Sequence, residues 1–223
     1  MNWSPLILTF ELAGVTTVAL LVVSVPLAWW LSATRSRFKP LIETLVSMPI
    51  VLPPTVIGFY FLLAFSPGNA FGTWLDTWLG IQLVFSFEGL VVASMLYSLP
   101  FMVHPIQAGL SSLPHSLKEA AYVMGKSPRA TFWYVLLPNV RKPILTGVIL
   151  SFAHVVGEFG VVLMIGGNIP GQTKVASIAI YDRVEALDYA QANFYSMVLF
   201  AITFAILFLV NATNGGFINK WWR

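Results

Sequence analysis

The segment SLKEAAYVMGKSPRATFWYVLLP, residues 116–138, has the pattern of two short helices separated by a turn. Ser116 and Glu119 predict a capping box, in which each side chain accepts a hydrogen bond from the backbone of the other. Apolar residues then recur at helical spacing and form one stripe: Leu117, Ala120, Ala121 and Met124. Gly125 suits the left-handed residue that ends such a helix.

The second helix of this segment is bounded by prolines. Ser127 followed by Pro128 is typical of an N-cap and the first helical residue, and Pro138 is expected to end the helix after Leu137. The apolar stripe of the helix pair must be covered by another surface. That surface is either the adjoining part of the chain or a partner protein, and the spacing of the residues does not distinguish the two.

The rest of the chain has the composition of a protein that lies in lipid. Of its 223 residues, 57% are hydrophobic and 9% are charged, whereas a soluble domain carries about 25% charged residues. Five stretches are long enough for membrane-spanning helices, which need about 20 residues each: 6–31, 41–65, 89–106, 144–165 and 193–210. No internal repeat or linker divides the chain, so residues 1–223 are predicted to form a single all-α membrane domain.

The distribution of lysine and arginine predicts an N-terminus outside the cell and a C-terminus inside it. In this orientation the cytoplasmic side receives most of the basic residues: Arg35, Arg37, Lys39, Lys118, Lys126, Arg129, Arg141, Lys142, Lys220 and Arg223. The outer side receives Lys174 and Arg183. Residues 107–142 then form a cytoplasmic loop that is far longer than a connection between two helices requires.

Composition also excludes several chemistries. The chain has no cysteine, and its net charge of +3 is spread without a basic tract, which argues against nucleic acid as a partner. Gly125, Lys126 and Ser127 resemble the end of a phosphate-binding loop, but Ala120 stands where that motif requires glycine. A catalytic cluster or metal site is not expected either, because the histidines are scattered: His104, His115 and His154. We therefore expect a non-catalytic chain without a metal or cofactor of its own.

Prolines interrupt the second predicted span at Pro49, Pro53 and Pro54. Each lacks a backbone N–H and clashes with the preceding helical turn. The result is either an ordinary kink, whose free carbonyl groups neighbouring helices satisfy, or a bend that shapes a transport pathway.

Glu158 lies within the fourth predicted span, where a carboxylate is costly. It must face protein or water, and His154, four residues earlier, lies on the same helical face. Glu158 either forms a structural hydrogen-bonded pair with His154 or acts as a gate that lines a pathway, since a metal site needs more ligands. The spans contain no lysine or arginine, which predicts a pathway that holds an anion only weakly.

The loop after the fourth span, residues 166–174, is rich in glycine. Backbone N–H groups in such a turn can bind an oxyanion, and Asn168, Gly171 and Thr173 are the candidate residues. The alternative is an ordinary surface turn. Apolar residues at every third position of 175–187 predict a short helix on the outer side.

A family resemblance lies in the cytoplasmic loop. The residues Glu-Ala-Ala at 119–121, Gly125 and Val-Leu-Leu-Pro at 135–138 resemble the EAA loop of binding-protein-dependent ABC importer permeases, with valine where isoleucine is usual. In that family the loop docks into a cleft on an ATPase subunit and transmits ATP-driven closure to the membrane helices. The resemblance implies a coupling role for six residues: Glu119, Ala120, Ala121, Gly125, Leu137 and Pro138.

Two further segments, 48–58 (MPIVLPPTVIG) and 157–160 (GEFG), resemble the sulfate/molybdate branch of these permeases. Residues 166–173 (GGNIPGQT) are closer to molybdate permeases than to sulfate permeases. The resemblance implies a type I ABC importer permease fold, with about five spans and cytoplasmic coupling helices, and import of molybdate. Tungstate, sulfate and thiosulfate are the alternative substrates. The candidate pathway residues are Pro53, Pro54, His154, Gly157, Glu158 and Gly160.

The resemblance also implies partners in the cytoplasmic (inner) membrane. These are two copies of an ABC ATPase subunit, which binds ATP and Mg, and a periplasmic or lipid-anchored oxyanion-binding protein. Five helices are too few to enclose a moving conduit, so we expect a homodimer with the pathway at its interface that works by alternating access. The rival interpretation is a self-sufficient secondary transporter or channel, whose binding region would be the second span.

Overall fold

A computed structural model of the chain describes residues 2–214, so the basic residues Lys220 and Arg223 lie outside the described part. The chain is folded into helices joined mostly by short loops. In order these are α1 Ser4–Ala33, α2 Lys39–Val51, α3 Pro54–Phe65, α4 Ala70–Leu79, α5 Phe87–Ser111, α6 His115–Val123, α7 Pro128–Thr131, a π-helical turn Phe132–Leu136, α8 Leu137–Asn139, α9 Arg141–Val156, α10 Gly160–Gly166, α11 Ala176–Glu185 and α12 Tyr189–Asn214.

Of the described helices, α1, α5 and α12 are long and apolar enough to cross a membrane by themselves. Each contains one of the predicted spans and extends beyond it at both ends. Helix α5 begins at Phe87, before the predicted start of its span, because the Ser86 hydroxyl accepts a hydrogen bond of 3.1 Å from the backbone N–H of Gly89. The number of spans rises to five if each of two bent helix pairs is counted as one span, namely Lys39–Val51 with Pro54–Phe65 and Pro128–Asn139 with Arg141–Val156.

The second predicted span, 41–65, is broken into α2 and α3, which meet at an angle of 116°. Leu52 and Pro53 between them have extended backbone angles. Neither Pro53 nor Pro54 has an N–H to continue the helical ladder, and Pro54 occupies the first turn of the next helix. The break is therefore far sharper than an ordinary proline kink.

The fourth predicted span, 144–165, is also broken. Helix α9 ends at Val156, and α10 begins at Gly160 after three non-helical residues. Glu158 therefore lies in the break between two helices and not on a helical face. Helix α9 is in turn bent by 72° from the preceding segment Pro128–Asn139.

The core is built around α5, which packs along both α1 and α9, while α3 packs on α10. One buried apolar cluster joins the first half of α1 to the two broken helices and includes Leu12, Leu90, Val161 and Ile165. A second cluster joins the last half of α1 to the end of α5 and to the segment after α6, and it includes Leu20, Met102, Ile106, Phe132 and Leu136. The segment 115–140 is thus part of the folded body.

The two ends of the helix bundle differ in charge. One end carries the C-terminus of α1, the C-terminus of α5 and residues 115–140, and eight basic residues lie in or beside these segments: Arg35, Arg37, Lys39, Lys118, Lys126, Arg129, Arg141 and Lys142. The other end carries the start of α1, α11 and the start of α12, which meet at Leu6, Ala176 and Tyr195. Within the described residues, only Lys174 and Arg183 are basic at this end.

Helix α6 differs from its predicted beginning. It begins at His115 after Pro114, and no side chain caps it, so the predicted capping box of Ser116 and Glu119 is wrong. Proline sets an extended backbone immediately before the helix, and Ser116 is already the second helical residue. The end of α6 is as predicted, because Gly125 has φ of +76° and the Lys126 N–H bonds the carbonyl of Ala121 at 3.0 Å.

The second helix of the loop begins as predicted and ends later. The Ser127 hydroxyl accepts a hydrogen bond of 3.3 Å from the N–H of Ala130, but Pro138 does not end the helix, which continues to Asn139. A π-helical turn at Phe132–Leu136 precedes Pro138. In this turn the Leu137 N–H donates a hydrogen bond to the carbonyl of Phe132. Such a widened turn lets the chain absorb a proline that would clash with a regular helical turn.

Gly58 tests the packing of α3 on α10. A Cβ atom at Gly58 would lie 2.8 Å from Cβ of Met164 and 3.0 Å from Cα of Val161, so Gly58→Ala should overpack this contact. We expect a loss of about 1–3 kcal/mol of stability, measured as a lower thermal midpoint of the detergent-solubilised protein. The control is Gly14→Ala, because no described atom lies within 4 Å of a Cβ there. Equal midpoints for the two variants would contradict the packing.

Candidate functional site

A cavity of about 450 Å³ lies where the two broken helices meet. We call it the helix-break cavity, and its lining is Pro54, Thr55, Tyr97, Ala153, His154, Gly157, Glu158, Phe159 and Gly160. The two breaks approach closely because Gly160 has no side chain: a Cβ there would lie 2.8 Å from Cβ of Pro54. The structure thus brings together all of the predicted pathway residues except Pro53, which precedes Pro54 at the break.

The carboxyl group of Glu158 is buried beside this cavity, and its two oxygens do not open onto the cavity space. The residue is 5% exposed, and neither carboxyl oxygen has a hydrogen-bond partner among the described residues. Ser94 lies beside the carboxyl group, but its hydroxyl does not meet hydrogen-bond geometry with it. The backbone of Glu158, by contrast, is held in place, since its carbonyl accepts a hydrogen bond of 2.7 Å from the Ser177 hydroxyl.

His154 has a different partner from the one predicted. The structure does not contain a His154–Glu158 pair, because α9 ends at Val156 and Glu158 lies beyond its end. Nδ1 of His154 is instead 2.9 Å from the Ser98 hydroxyl. Its ring stacks on Phe101 at 4.1 Å between centroids and lies 4.8 Å from the ring of Tyr97. These contacts fix the imidazole at the wall of the cavity.

The helix-break cavity contains no fixed positive charge. Of the described residues, no lysine or arginine lines it. The ion pairs found in residues 2–208 are elsewhere: Lys39–Glu43, Lys174–Asp182 and Arg183–Asp188. Among the described residues, the lining therefore offers an ion hydroxyl groups and an imidazole, and no fixed cation.

The segment 115–140 presents exposed apolar side chains. Its five large members, called here the loop surface, are Tyr122, Val123, Met124, Trp133 and Tyr134, which are between 50% and 88% exposed. The predicted stripe does not lie on one side. Ala121 is buried and Leu117 is half-buried, whereas Ala120 and Met124 are exposed. The reason is that α6 turns its Ala121 side toward the protein, so Tyr122 and Val123 face outward.

The predicted coupling residues surround the loop surface. Glu119, Ala120 and Gly125 are exposed, and Leu137 and Pro138 are half-buried. The loop is anchored to α1 by Phe132, whose ring stacks on that of Trp29 with 4.2 Å between ring centroids. Phe132 and Leu136 both belong to the buried cluster that includes residues of α1 and α5. The loop is therefore packed directly against these two helices.

In the outer loop, two of the predicted anion-binding residues already have partners. Thr173 is buried; its hydroxyl donates to the carbonyl of Gly166 at 2.6 Å and accepts from the N–H of Ile169 at 3.2 Å. The amide of Asn168 donates to both carboxylate oxygens of Asp182, at 2.9 and 2.8 Å. Gly171 is exposed, with φ of +78°. Asn168 and Thr173 thus hold the loop in shape, and the anion-binding role stays a prediction.

The predicted outer helix is present as α11, Ala176–Glu185. Its first N–H, that of Ala176, donates to the Thr9 hydroxyl at 2.8 Å and so ties α11 to α1. Partial burial works to raise the pKa of Asp182 on this helix. The hydrogen bonds from Lys174 and Asn168, together with the positive charges of Lys174 and Arg183, outweigh burial and hold that pKa below its ordinary value.

A second polar cluster was not predicted from the sequence. Gln107 of α5 donates to Oε1 of Glu43 on α2 at 2.6 Å, and the Ser47 hydroxyl lies 3.1 Å from Nε2 of His104. The sequence did indicate that Glu43 and His104 need polar partners, because both are ionisable residues within predicted spans. The hydrogen-bond partners Gln107 and Ser47 lie 64 and 57 positions away in sequence, so no local pattern reveals these two bonds, although Lys39 is within reach of Glu43 on the same helix.

Comparison with known families identifies the class of protein. The model for the family described as "Binding-protein-dependent transport system inner membrane component" matches residues 16–220. The chain belongs to this family. It is therefore a permease subunit of the ABC importer class, and it is an inner-membrane component of its transport system.

The permease is similar to proteins of known transport systems along nearly its whole length. It is 49% identical to the molybdenum transport system permease protein ModB of Azotobacter vinelandii, over 93% of this chain and 92% of that protein. It is 30% identical to the putative molybdenum transport system permease protein YvgM of Bacillus subtilis, with the same coverage. It is 33% identical to the sulfate transport system permease protein CysT of Escherichia coli, of which it spans 69%.

Two solved structures share the fold. A bacterial ABC transporter involved in the import of alginate matches 95% of the permease with a TM-score of 0.78, and the chain covers 78% of its matching chain. The MetNI methionine ABC transporter matches 94% of the permease with a TM-score of 0.71, and the chain covers 93% of its matching chain. Both are 16% identical in sequence. The predicted all-α fold of an ABC importer permease is confirmed.

Asp182 provides a test of the outer loop. Its folded pKa lies below its ordinary value of about 3.9, so it stabilises the fold above that pH, and this contribution is lost as pH falls through the folded pKa. Asp182→Asn should therefore lower the thermal midpoint at neutral pH, and its effect should shrink as the pH falls through the lowered folded pKa. Thermal denaturation at both pH values checks this, with exposed Asp76→Asn as the control. A pH-independent loss for Asp182→Asn would contradict the electrostatic origin.

Proposed function

We propose that this permease conducts molybdate, or a tetrahedral oxyanion of similar size, across the membrane as a subunit of an ATP-driven importer. The observation that carries this proposal is the 49% identity to a molybdenum transport permease, which extends over more than nine-tenths of both chains. The sulfate permeases are less similar, and the chain spans about two-thirds of their length. Tungstate, sulfate and thiosulfate are the alternative substrates within this family.

The helix-break cavity is the proposed pathway for the anion. The cavity is bounded by irregular backbone, and within a membrane such backbone must be buried in protein or line a water-filled space. Its lack of lysine and arginine supports a conduit that binds the anion weakly and lets it leave. Selection among anions then falls to a separate oxyanion-binding protein on the outer side.

A second copy of the permease completes the pathway. The helices that flank the break of the second span have exposed apolar residues, among them Val51 at 83%, Phe59 at 45% and Tyr60 at 62% exposure. Pro54, Thr55 and Gly157 at the cavity are also exposed in the single chain. A two-fold dimer through this face covers these residues and encloses the pathway between two equal halves.

ATPase coupling occurs at the loop surface. An apolar patch rimmed by polar residues marks a site of protein contact, and the basic residues around it support its position on the cytoplasmic side. ATP-driven closure of two ATPase subunits moves both loops together, and Phe132 and Leu136 transmit this motion to α1 and α5. The pathway opens outward in this state and inward after hydrolysis, and the permease itself makes and breaks no bonds.

A second candidate function is a self-sufficient secondary transporter. The specific observation in its favour is the pair of broken helices, because secondary transporters form their substrate sites from discontinuous helices. The two functions differ in their energy source. Uptake driven by an ion gradient alone would establish the secondary transporter, whereas dependence on ATP and an ATPase subunit would exclude it.

The substrate is tested in proteoliposomes that contain the permease, the ATPase and the binding protein of the same organism. We expect ATP-dependent uptake of labelled molybdate that excess tungstate inhibits and that excess sulfate inhibits much less. Vesicles without the ATPase are the control and should take up none. Equal inhibition by sulfate would contradict molybdate selectivity, and uptake without the ATPase would contradict the importer.

Val123, which is 88% exposed on the loop surface, tests the coupling site. Val123→Asp places an unpaired charge in the proposed ATPase interface, so the affinity for the ATPase should fall by about ten-fold or more. Pull-down of the ATPase with the purified permease measures this. The matched control is Leu187→Asp at the opposite end, where the residue is 71% exposed and has φ of +58°, which aspartate tolerates. Unchanged ATPase binding by Val123→Asp would exclude this surface.

A further inference from the structure

A second cavity runs along the last half of α1, at the basic end of the bundle. It has a volume of about 620 Å³, and its lining residues are all aliphatic or aromatic. One wall is α1, and the other is formed by the π-helical turn, α8 and α9 through Phe132, Trp133, Leu137 and Ile144. A smaller cavity of about 390 Å³ continues it, because Pro26 and Trp29 line both. We call the two together the α1 groove.

The α1 groove has the dimensions of one membrane leaflet. Its lining on α1 extends from Leu21 to Thr34, which is about 20 Å at about 1.5 Å per residue. Half of a bilayer, including its headgroups, is about 20–22 Å thick. The larger cavity alone has room for about twenty groups the size of a water molecule, at about 30 Å³ each, and a methylene group is about as large. The groove can therefore hold one acyl chain.

Three tryptophans mark the end of the groove that lies at the headgroups. Trp29 and Trp30 belong to the α1 wall, and Trp133 to the opposite wall. Tryptophan is enriched where a membrane meets water. Val22, which lines the groove and is 71% exposed, lies seven residues before Trp29 and thus about 10 Å deeper. Trp133 also belongs to the loop surface, so the groove and that surface adjoin at this residue.

Both walls of the groove end in an arginine near the tryptophans. Arg35 directly follows Thr34, which lines the groove. Arg141 lies three residues before Ile144 in α9, so it is on the same helical face and one turn closer to the basic end. Both arginines are exposed, and neither forms an ion pair with another described residue. Because arginine binds phosphate through parallel N–H donors, this end of the groove fits an anionic headgroup.

We propose that the α1 groove binds an anionic phospholipid of the leaflet at the basic end. One acyl chain lies against Val22, Leu137 and Ile144, and Arg35 and Arg141 hold the phosphate. Charge complementarity selects this occupant. An apolar helix of a second copy would fill the groove and leave both arginines without an anionic partner, and a zwitterionic lipid carries a cation that offsets its phosphate. The site is separate from the helix-break cavity and does not depend on the proposed function.

The first test measures headgroup selection by native mass spectrometry of the full-length permease in detergent. Delipidated permease is titrated separately with dioleoyl phosphatidylglycerol and dioleoyl phosphatidylcholine. Phosphatidylglycerol should bind at one molecule per chain and about ten-fold or more tightly, since each basic residue near the headgroup adds to the attraction. The double variant Arg35→Gln/Arg141→Gln should reduce this preference to about two-fold or less. The control Lys118→Gln should keep it, because α6 lines no part of the groove.

The second test fills the groove itself. Val22→Trp places a bulky ring in the space of the acyl chain, so phosphatidylglycerol binding should fall about ten-fold or more. The matched control is Val23→Trp, because Val23 is the next residue of α1, is 47% exposed and does not line the groove. This variant should bind phosphatidylglycerol like the wild type.

Several results would overturn the proposal. Equal binding of the two lipids by the wild type would show lipid contact without headgroup selection, and an unchanged preference in the double variant would exclude the two arginines. Wild-type binding by Val22→Trp would exclude the groove. A wild-type dimer that holds no lipid and that Val22→Trp separates into monomers would assign the groove to a second copy. If the double variant does not fold, the wild-type titrations and the pair Val22→Trp and Val23→Trp decide.

Discussion

Backbone groups in a membrane must find hydrogen-bond partners within the protein, and this constraint organises the whole fold. The chain has two helix breaks, at Leu52 and Pro53 and at residues 157–159. Each would expose free carbonyl and N–H groups to lipid if it stood alone. They pack on each other instead, with Gly160 against Pro54, and the space between them is the helix-break cavity. The long helices α1 and α5 provide the continuous scaffold on which the breaks are held.

The cavity and the loop surface are joined by a single element. Helix α9 begins at Arg141, directly after the loop, and ends at Val156 beside Glu158. Its 16 residues span about 24 Å at about 1.5 Å per residue. The loop also rests on α1 and α5 through Phe132 and Leu136, and α5 supplies Tyr97 to the cavity wall. This layout suits a subunit in which an external motor opens a weakly binding pathway.

Local sequence signals succeeded where one or two neighbouring residues set the backbone. Gly125 ends α6 in the left-handed conformation, and Ser127 caps the next helix, both as predicted. The capping box failed because Pro114 had already set the start of α6. The prediction for Pro138 failed because a π-helical turn absorbed the proline. A capping interaction is worth only about 1 kcal/mol, whereas a proline inside a regular helix costs about 3 kcal/mol, a cost that the widened turn reduces.

The sequence by itself determined that the chain is a helical membrane protein and where its long apolar helices and its family motif lie. Periodicity, charge and a family motif are properties of neighbouring residues, and they survive without knowledge of the fold. Only the tertiary structure decided that Glu158 has no hydrogen-bond partner among the described residues, that His154 bonds Ser98, and that Ala121 is covered while Val123 is exposed. These facts depend on contacts between residues far apart in sequence, because the angle at which each helix continues after its break selects its neighbours.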